Sequence, residues 1–175
     1  LETASGHAAL TVLSGPAGGA AAATLVAAAS SRPNLLCFDM GGTSTDVALI
    51  EDAPLNAILD RIEAVGTEAT VFESTTAAAF VAMSETKADL AIVEVGLGGV
   101  LDATNVIERP LLSVIAPVDL DHAEFLGTDL HGIAVEKAGI LKAGARGLIA
   151  RQSEAAMAAI EAAARAVHAP LTVMG

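Results

Sequence analysis

At 175 residues the chain is long enough for one ordinary domain with a sizeable core, or for two small ones. Hydrophobic residues make up 53% of it, with four Phe and no Trp or Tyr, so small aliphatic side chains that each bury little area must build any core. The net charge of −12, with only 9 Lys and Arg, argues against nucleic acid and anionic membrane surfaces as partners, because phosphate backbones are neutralised by clustered cations.

The chain begins at Leu1 rather than Met, as a fragment would. The apolar stretch over residues 8–29 has no basic leader and is broken by Ser14-Gly15-Pro16-Ala17-Gly18-Gly19, so it reads as a glycine loop followed by a helix over 20–29 rather than a signal peptide or a membrane span. Pro33 forbids that helix to continue. A cytoplasmic setting is expected, and the single cysteine, Cys37, has no partner for an internal disulfide. Its place in an apolar strand-like run predicts a buried, inert thiol rather than a nucleophile.

Residues 35–39 and 45–50 are short strand candidates around Gly41-Gly42, which suits a tight hairpin turn. Glycines let backbone N–H groups face a concavity, the Thr43, Ser44 and Thr45 hydroxyls add donors, and Asp39 and Asp46 could orient water or a metal near a phosphate. A plain turn with no ligand is the alternative. Further on, Leu55, Ile58, Leu59, Ile62 and Val65 have the spacing of one buried helix face over residues 53–67. A second helix is predicted over 72–85, with Glu73, Ser74, Thr75 and Thr76 in its N-terminal cap region.

From Asp89 onward strand and helix alternate: LAIVEV, LLSVIAP, a helix over 129–141, GLIAR, a helix over 153–167, and PLTVM. The pattern predicts an α/β fold whose mostly parallel sheet is covered by helices, with residues 35–50 added as a hairpin at or near the edge of that one sheet. Ligands in such sheets sit beyond the carboxyl ends of the strands, where Glu94, Asp119, Asp121 and His122 fall. Glu94 and His122, leaving what are expected to be adjacent parallel strands, could share a hard divalent cation such as Mg²⁺. Alternatively Glu94 caps backbone N–H groups of the Gly96-Leu97-Gly98-Gly99 loop and His122 bonds a neighbour. That loop is no dinucleotide fingerprint, since it lacks the final glycine and a prompt helix. Lys137, beside Glu136, reads as an ordinary solvated lysine; His131 and His168 read as surface residues, and His7 is given no role.

Two stretches carry resemblances. SGPAGG at 14–19 followed by FDMGGTSTDVALI at 38–50 resembles the hydantoinase A and oxoprolinase family over about residues 5–52. That resemblance implies an actin-like ancestry and a phosphate-binding hairpin made by Asp39, Gly41, Gly42, Thr43, Thr45 and Asp46. EVGLGG, LDATN, LDHAEFLG and AVEKAGILK, in that order, resemble dihydrofolate/folylpolyglutamate synthase of the Mur ligase superfamily over about residues 55–175. This second resemblance implies Mg²⁺ ligands at Glu94 and His122, a carbamylated lysine at Lys137, and a loop beside the site at Asp102, Thr104 and Asn105.

Together they imply a chimera, with a hydantoinase-like segment at 1–53 and part of a synthase central domain at 54–175, possibly merged in one domain. The cofactors implied are Mg²⁺ and ATP, and the partners are ATP, folate and glutamate. Two departures stand out: Val100 replaces the arginine of GGRLDATN, and no GxxxxGK(S/T) phosphate loop occurs in the sequence. The expected function is therefore an incomplete ATP-dependent amide ligase, inactive alone. A non-catalytic α/β scaffold and a hydantoinase-like hydrolase fragment are the alternatives.

Overall fold

The computed structural model describes residues 35–40, 45–47, 52–120 and 129–174, with side chains from Leu55 onward. The helix expected over 20–29 lies outside the described residues. The chain divides into two compact units, Leu1–Glu94 and Val95–Gly175. Their boundary reflects packing, whereas the expected boundary at 53/54 concerns ancestry.

In the first unit, β1 (Leu35–Met40) pairs antiparallel with β2 (Thr45–Val47) and parallel with β3 (Leu90–Val93), giving the order β2-β1-β3. Parallel neighbours need a crossover. Helices α1 (Asp52–Glu63) and α2 (Val71–Glu85) lie in that connection and pack on each other. On α1, Ile58 is buried and Leu55, Leu59 and Ile62 are half-buried, as their spacing predicts, but Val65 falls beyond the helix end and is exposed. Arg61 on α1 and Glu85 on α2 form an exposed ion pair at 2.6 Å, a contact of the kind that adds about 0–1 kcal/mol.

The start of α2 lies before the predicted cap region. Thr70 is the N-cap: its hydroxyl accepts from the Glu73 N–H at 3.2 Å, and the Glu73 carboxylate accepts from the Thr70 N–H at 2.7 Å. This reciprocal box satisfies two of the donors every helix start leaves open. The backbone and hydroxyl of Thr70 hold the Glu73 carboxyl below the ordinary glutamate range. Thr75 and Thr76 are helix interior, not caps: the Thr75 hydroxyl donates to the Val71 and Phe72 carbonyls, while Thr76 is 1% exposed and its hydroxyl has no partner among the described residues.

The second unit runs β4 (Leu112–Ile115), α3 (Leu130–Ala138), β5 (Arg146–Ile149), α4 (Glu154–Val167) and β6 (Leu171–Val173), with all strands parallel in the order β4-β5-β6. Asp129 caps α3 through the His131 and Gly132 N–H groups, and Ser153 caps α4 through the Ala156 N–H. His168 ends α4 in the left-handed region, at φ 58°, its N–H donating to the Ala164 and Arg165 carbonyls. Ile133, Ile149 and Ile160 are fully buried at the centre of a core otherwise rich in alanine, which lets α3 and α4 approach closely.

The strand and helix alternation is thus observed, but two parts of the expected arrangement are corrected. The described strands form two three-stranded sheets rather than one. Among the described strands β3 pairs with β1 and β4 with β5, and the expected pairing between the strand before Glu94 and the one before residue 122 is not among them. The apolar first four residues of β1 offer β3 a partner of its own length: Leu35 faces Leu90, and Phe38 faces Val93, in the ladder. No helix among the described residues is long and apolar enough to cross a membrane.

Removing the unpartnered hydroxyl at Thr76 without changing side-chain volume, as in Thr76→Val, is expected to stabilise the fold by about 1 kcal/mol, because a buried unsatisfied polar group costs about 1–3 kcal/mol. Urea unfolding of parent and variant measures it; a loss of stability would show that the hydroxyl is satisfied.

Candidate functional site

Of the residues singled out by sequence, Asp102, Thr104, Asn105 and Lys137 come together within the second unit. The chain leaves Gly98, at φ 69°, and runs through Gly99 and Val100 along the end of α3. A Cβ on Gly99 would collide with the Glu136 carbonyl oxygen and lie 3.2 Å from the Lys137 Cα. On the facing side, a Cβ on Gly139 would lie 2.7 Å from the Val100 Cα and 2.9 Å from its nitrogen. Two backbones therefore touch directly, and only glycine permits it.

The loop after this contact is shaped from inside. Asp102 is 8% exposed, and its carboxylate accepts from the Leu97 N–H at 2.8 Å, from the Thr104 N–H at 2.9 Å and from the Thr104 hydroxyl. An aspartate that accepts from backbone N–H groups around it closes a turn. The N–H group of Leu97 is thus capped by Asp102. Asn105 donates from Nδ2 to the Val100 carbonyl and to the Gly139 carbonyl, each at 3.1 Å. Both partners are acceptors, which fixes the orientation of the amide. Lys142 Nζ reaches the Asn105 carbonyl at 3.4 Å, and the Ser113 hydroxyl donates to the Ile140 carbonyl at 2.9 Å. The carbonyls that a helix end leaves open are so taken up by side chains. Lys137 is half-buried beside this joint.

The other candidates fall elsewhere. Asp39, Thr45 and Asp46 lie on β1 and β2, where Asp39 faces Asp46 and Met40 faces Thr45 in the antiparallel register. Gly41, Gly42 and Thr43 lie outside the described residues, as do Asp121 and His122. Glu94 follows β3 directly and is exposed. His131 and His168 are exposed, as expected. Among the described residues no three His, Cys, Asp or Glu side chains converge. A donor set for Mg²⁺ is not assembled among them. An open cleft of about 450 Å³ between the end of α4 and β6, lined by Glu161, Arg165 and His168 among others, contains none of the candidates.

Sequence reasoning missed Gly99, Gly139 and Gln152. Gln152, just after β5, accepts from the Val118 N–H and donates to the Ala116 carbonyl, both at 2.8 Å, so its side chain extends the β4–β5 ladder past the point where Ala150 N–H meets the Ile115 carbonyl. The two glycines stand within the EVGLGG and AVEKAGILK strings, yet a glycine in a string does not announce which backbone it meets.

Three comparisons bear on this arrangement. The hydantoinase/oxoprolinase family model matches residues 1–108. The dihydrofolate synthase/folylpolyglutamate synthase of Mycobacterium tuberculosis is 46% identical over 96 residues, which is 52% of this chain and 20% of the relative. The probable dihydrofolate synthetase of Schizosaccharomyces pombe is 53% identical over 76 residues, 43% of this chain and 18% of the relative. In fold, the chain resembles E. coli FolC in complex with ADP, without folate substrate, at a TM-score of 0.72 and 27% identity, over 81% of this chain and 36% of that one. The chain spans about a fifth of the length of these curated relatives. The structural likeness covers more than the residues beyond 108 supply, so it extends into the stretch matched by the family model.

If the backbone contact at Gly99 organises the site, Gly99→Ala is expected to destabilise the protein by about 1–3 kcal/mol, since the opposing atom is a helix carbonyl that cannot rotate away. Thermal unfolding measures it, and an unchanged midpoint would mean that the loop lifts off at no cost.

Proposed function

This chain belongs to the hydantoinase/oxoprolinase family, which matches residues 1–108; from that membership and the likeness to dihydrofolate/folylpolyglutamate synthases, we propose a chimeric α/β chain that carries part of an ATP-dependent amide-ligase centre. The observation that carries the reading is the joint between the LDATN loop and the end of α3, where Asp102, Thr104 and Asn105 hold a glycine backbone against Lys137.

In such a ligase a substrate carboxylate attacks the γ-phosphorus of ATP, releasing ADP and forming an acyl phosphate; the glutamate amine then displaces phosphate as the amide bond forms. The substrates proposed are a folate and glutamate, with ATP as the phosphoryl donor. Fixed donors and cations aimed at the developing charge supply most of the acceleration in chemistry of this kind. We assign Lys137 as the residue to test for carbamylation, and Glu94 and His122 as the pair to test for Mg²⁺. Asp102 and Thr104 direct their hydrogen bonds to each other and to Leu97, which supports a loop-shaping role over direct contact with a ligand.

The chain alone is expected to be inactive. No GxxxxGK(S/T) sequence is present to hold the β- and γ-phosphates, and positioning of that kind accounts for about 7–11 kcal/mol of barrier reduction. Phosphate release with Mg·ATP, a folate and glutamate should equal the protein-free background. Release that rises only when both co-substrates are present, and that vanishes in Glu94→Ala, would restore a complete ligase.

A second reading, a non-catalytic scaffold, is supported by the β1–β2 pairing, which sets Asp39 opposite Asp46 in the stretch that resembles a phosphate-binding hairpin. Nucleotide binding without turnover is the outcome that suits this scaffold. Val100 is 45% exposed, so a longer side chain there projects into solvent. Val100→Arg is therefore expected to tighten Mg·ATP binding about tenfold by calorimetric titration, the value of one hydrogen bond to a charged group. Unaltered affinity would place the nucleotide away from this loop.

A further inference from the structure

We propose that Asn105 is the positioning residue for Lys137. The proposal deepens the ligase reading, for its chemical consequence rests on Lys137 belonging to the site; the geometry itself does not depend on that reading.

Asn105 uses both protons of a single amide to join two elements that sequence separates by 34 residues. One goes to the Val100 carbonyl within its own loop, the other to the Gly139 carbonyl at the end of α3. With both protons engaged, the amide nitrogen has no donor left for a ligand. The residue is itself held from both sides, its N–H donating to the Asp102 carbonyl at 2.9 Å and its carbonyl accepting from Lys142 Nζ. Such an amide is a fixed tie rather than a mobile contact.

What the tie controls follows from the glycines. The Gly139 carbonyl lies two residues beyond Lys137, and the same loop lays Gly99 on the Glu136 carbonyl and the Lys137 Cα. The chain just past the helix end is also bonded to β4, by Ser113 to Ile140. The backbone around Lys137 is therefore bracketed by contacts to the loop and to β4, all made within three residues of it. Loosening Asn105 frees the loop face of that bracket while leaving the core residues Ile133 and Ala134 of the same helix in place. A side chain placed by such a bracket responds sharply to small shifts of its base.

Asn105→Asp keeps the shape, removes both donors and sets a carboxylate against two carbonyls. Asn105→Ala removes the donors without adding charge, and Asn105→Gln restores the amide on a longer stem. Each full-length variant is treated with a small water-soluble acylating ester, and the rate at Lys137 is read by peptide mass against the exposed Lys87. Hydrogen exchange is followed over the same peptides. In Asp and Ala variants the Lys137 to Lys87 ratio should shift by about threefold or more, and exchange should rise together in residues 97–105 and 136–140 but not in α4, as local opening requires. Asn105→Gln should fall between these and the parent. An unchanged ratio, or a rise in exchange confined to the loop or spread over the whole unit, overturns the proposal. If Asn105→Asp does not fold, Asn105→Ala decides by the same criteria. Separately, ¹³C spectra of the parent in labelled bicarbonate, with Lys137→Arg as control, report the carbamate. Its absence sinks carbamylation in the ligase reading, whereas the role of Asn105 is decided by acylation and exchange alone.

Discussion

Direct contact between two stretches of backbone, Gly99-Val100 and the end of α3 at Glu136 to Gly139, is the constraint on which the candidate site depends. Side chains normally keep a loop and a helix apart; here a Cβ on either glycine would strike main-chain atoms. Because the contact leaves no room for packing side chains, its stability must come from hydrogen bonds made around it. Asp102 closes the turn and Asn105 ties the turn to the helix, so the polar residues of the LDATN string are engaged in holding the loop.

The core of the second unit makes that arrangement possible. α3 and α4 present alanine where larger residues would hold them apart, and the sheet offers Gly147 beneath Leu141 and Leu171, where a Cβ would lie 2.9 Å from one leucine and 2.6 Å from the other. Small side chains bury little area per residue, a deficit that three fully buried isoleucines offset at the centre. A helix seated firmly at its first turns by Asp129 and along its buried face by Ile133 and Ala134 can present its last turn as a fixed surface.

The first unit joins stretches that carry different resemblances. β3 lies within the stretch that resembles the synthases, while β1 carries the string that resembles the hydantoinase family; they pair in register from Leu35 with Leu90 to Phe38 with Val93. Backbone hydrogen bonding is blind to side-chain identity, and four apolar residues from each strand meet the requirement of a parallel ladder. The extent of the family match, through residue 108, and of the structural likeness, over 81% of the chain for E. coli FolC, likewise overlap rather than abut.

How much is legible in the sequence divides along physical lines. Strand and helix periods, the order of elements from Leu90 onward and the exposed places of His131 and His168 depend on near neighbours in the chain, and in these sequence and structure agree. The cap of α2 is misplaced by the run of hydroxyl and carboxyl residues at 73–76, although Thr70 and Glu73 carry the capping-box spacing that the structure uses. Strand neighbours are misjudged because parallel pairing joins residues far apart, and no period in the chain records which edge β3 takes. Asp102, Thr104 and Asn105 are picked out by their string, yet whether they face a ligand or their own loop depends on partners as far as 34 residues away. The sequence by itself therefore determined the elements and the residues of interest, since those follow from local chemistry; the tertiary structure alone decided that Gly99 meets Lys137 and that Asn105 ties Val100 to Gly139, since a contact between distant backbones exists only once the chain has folded.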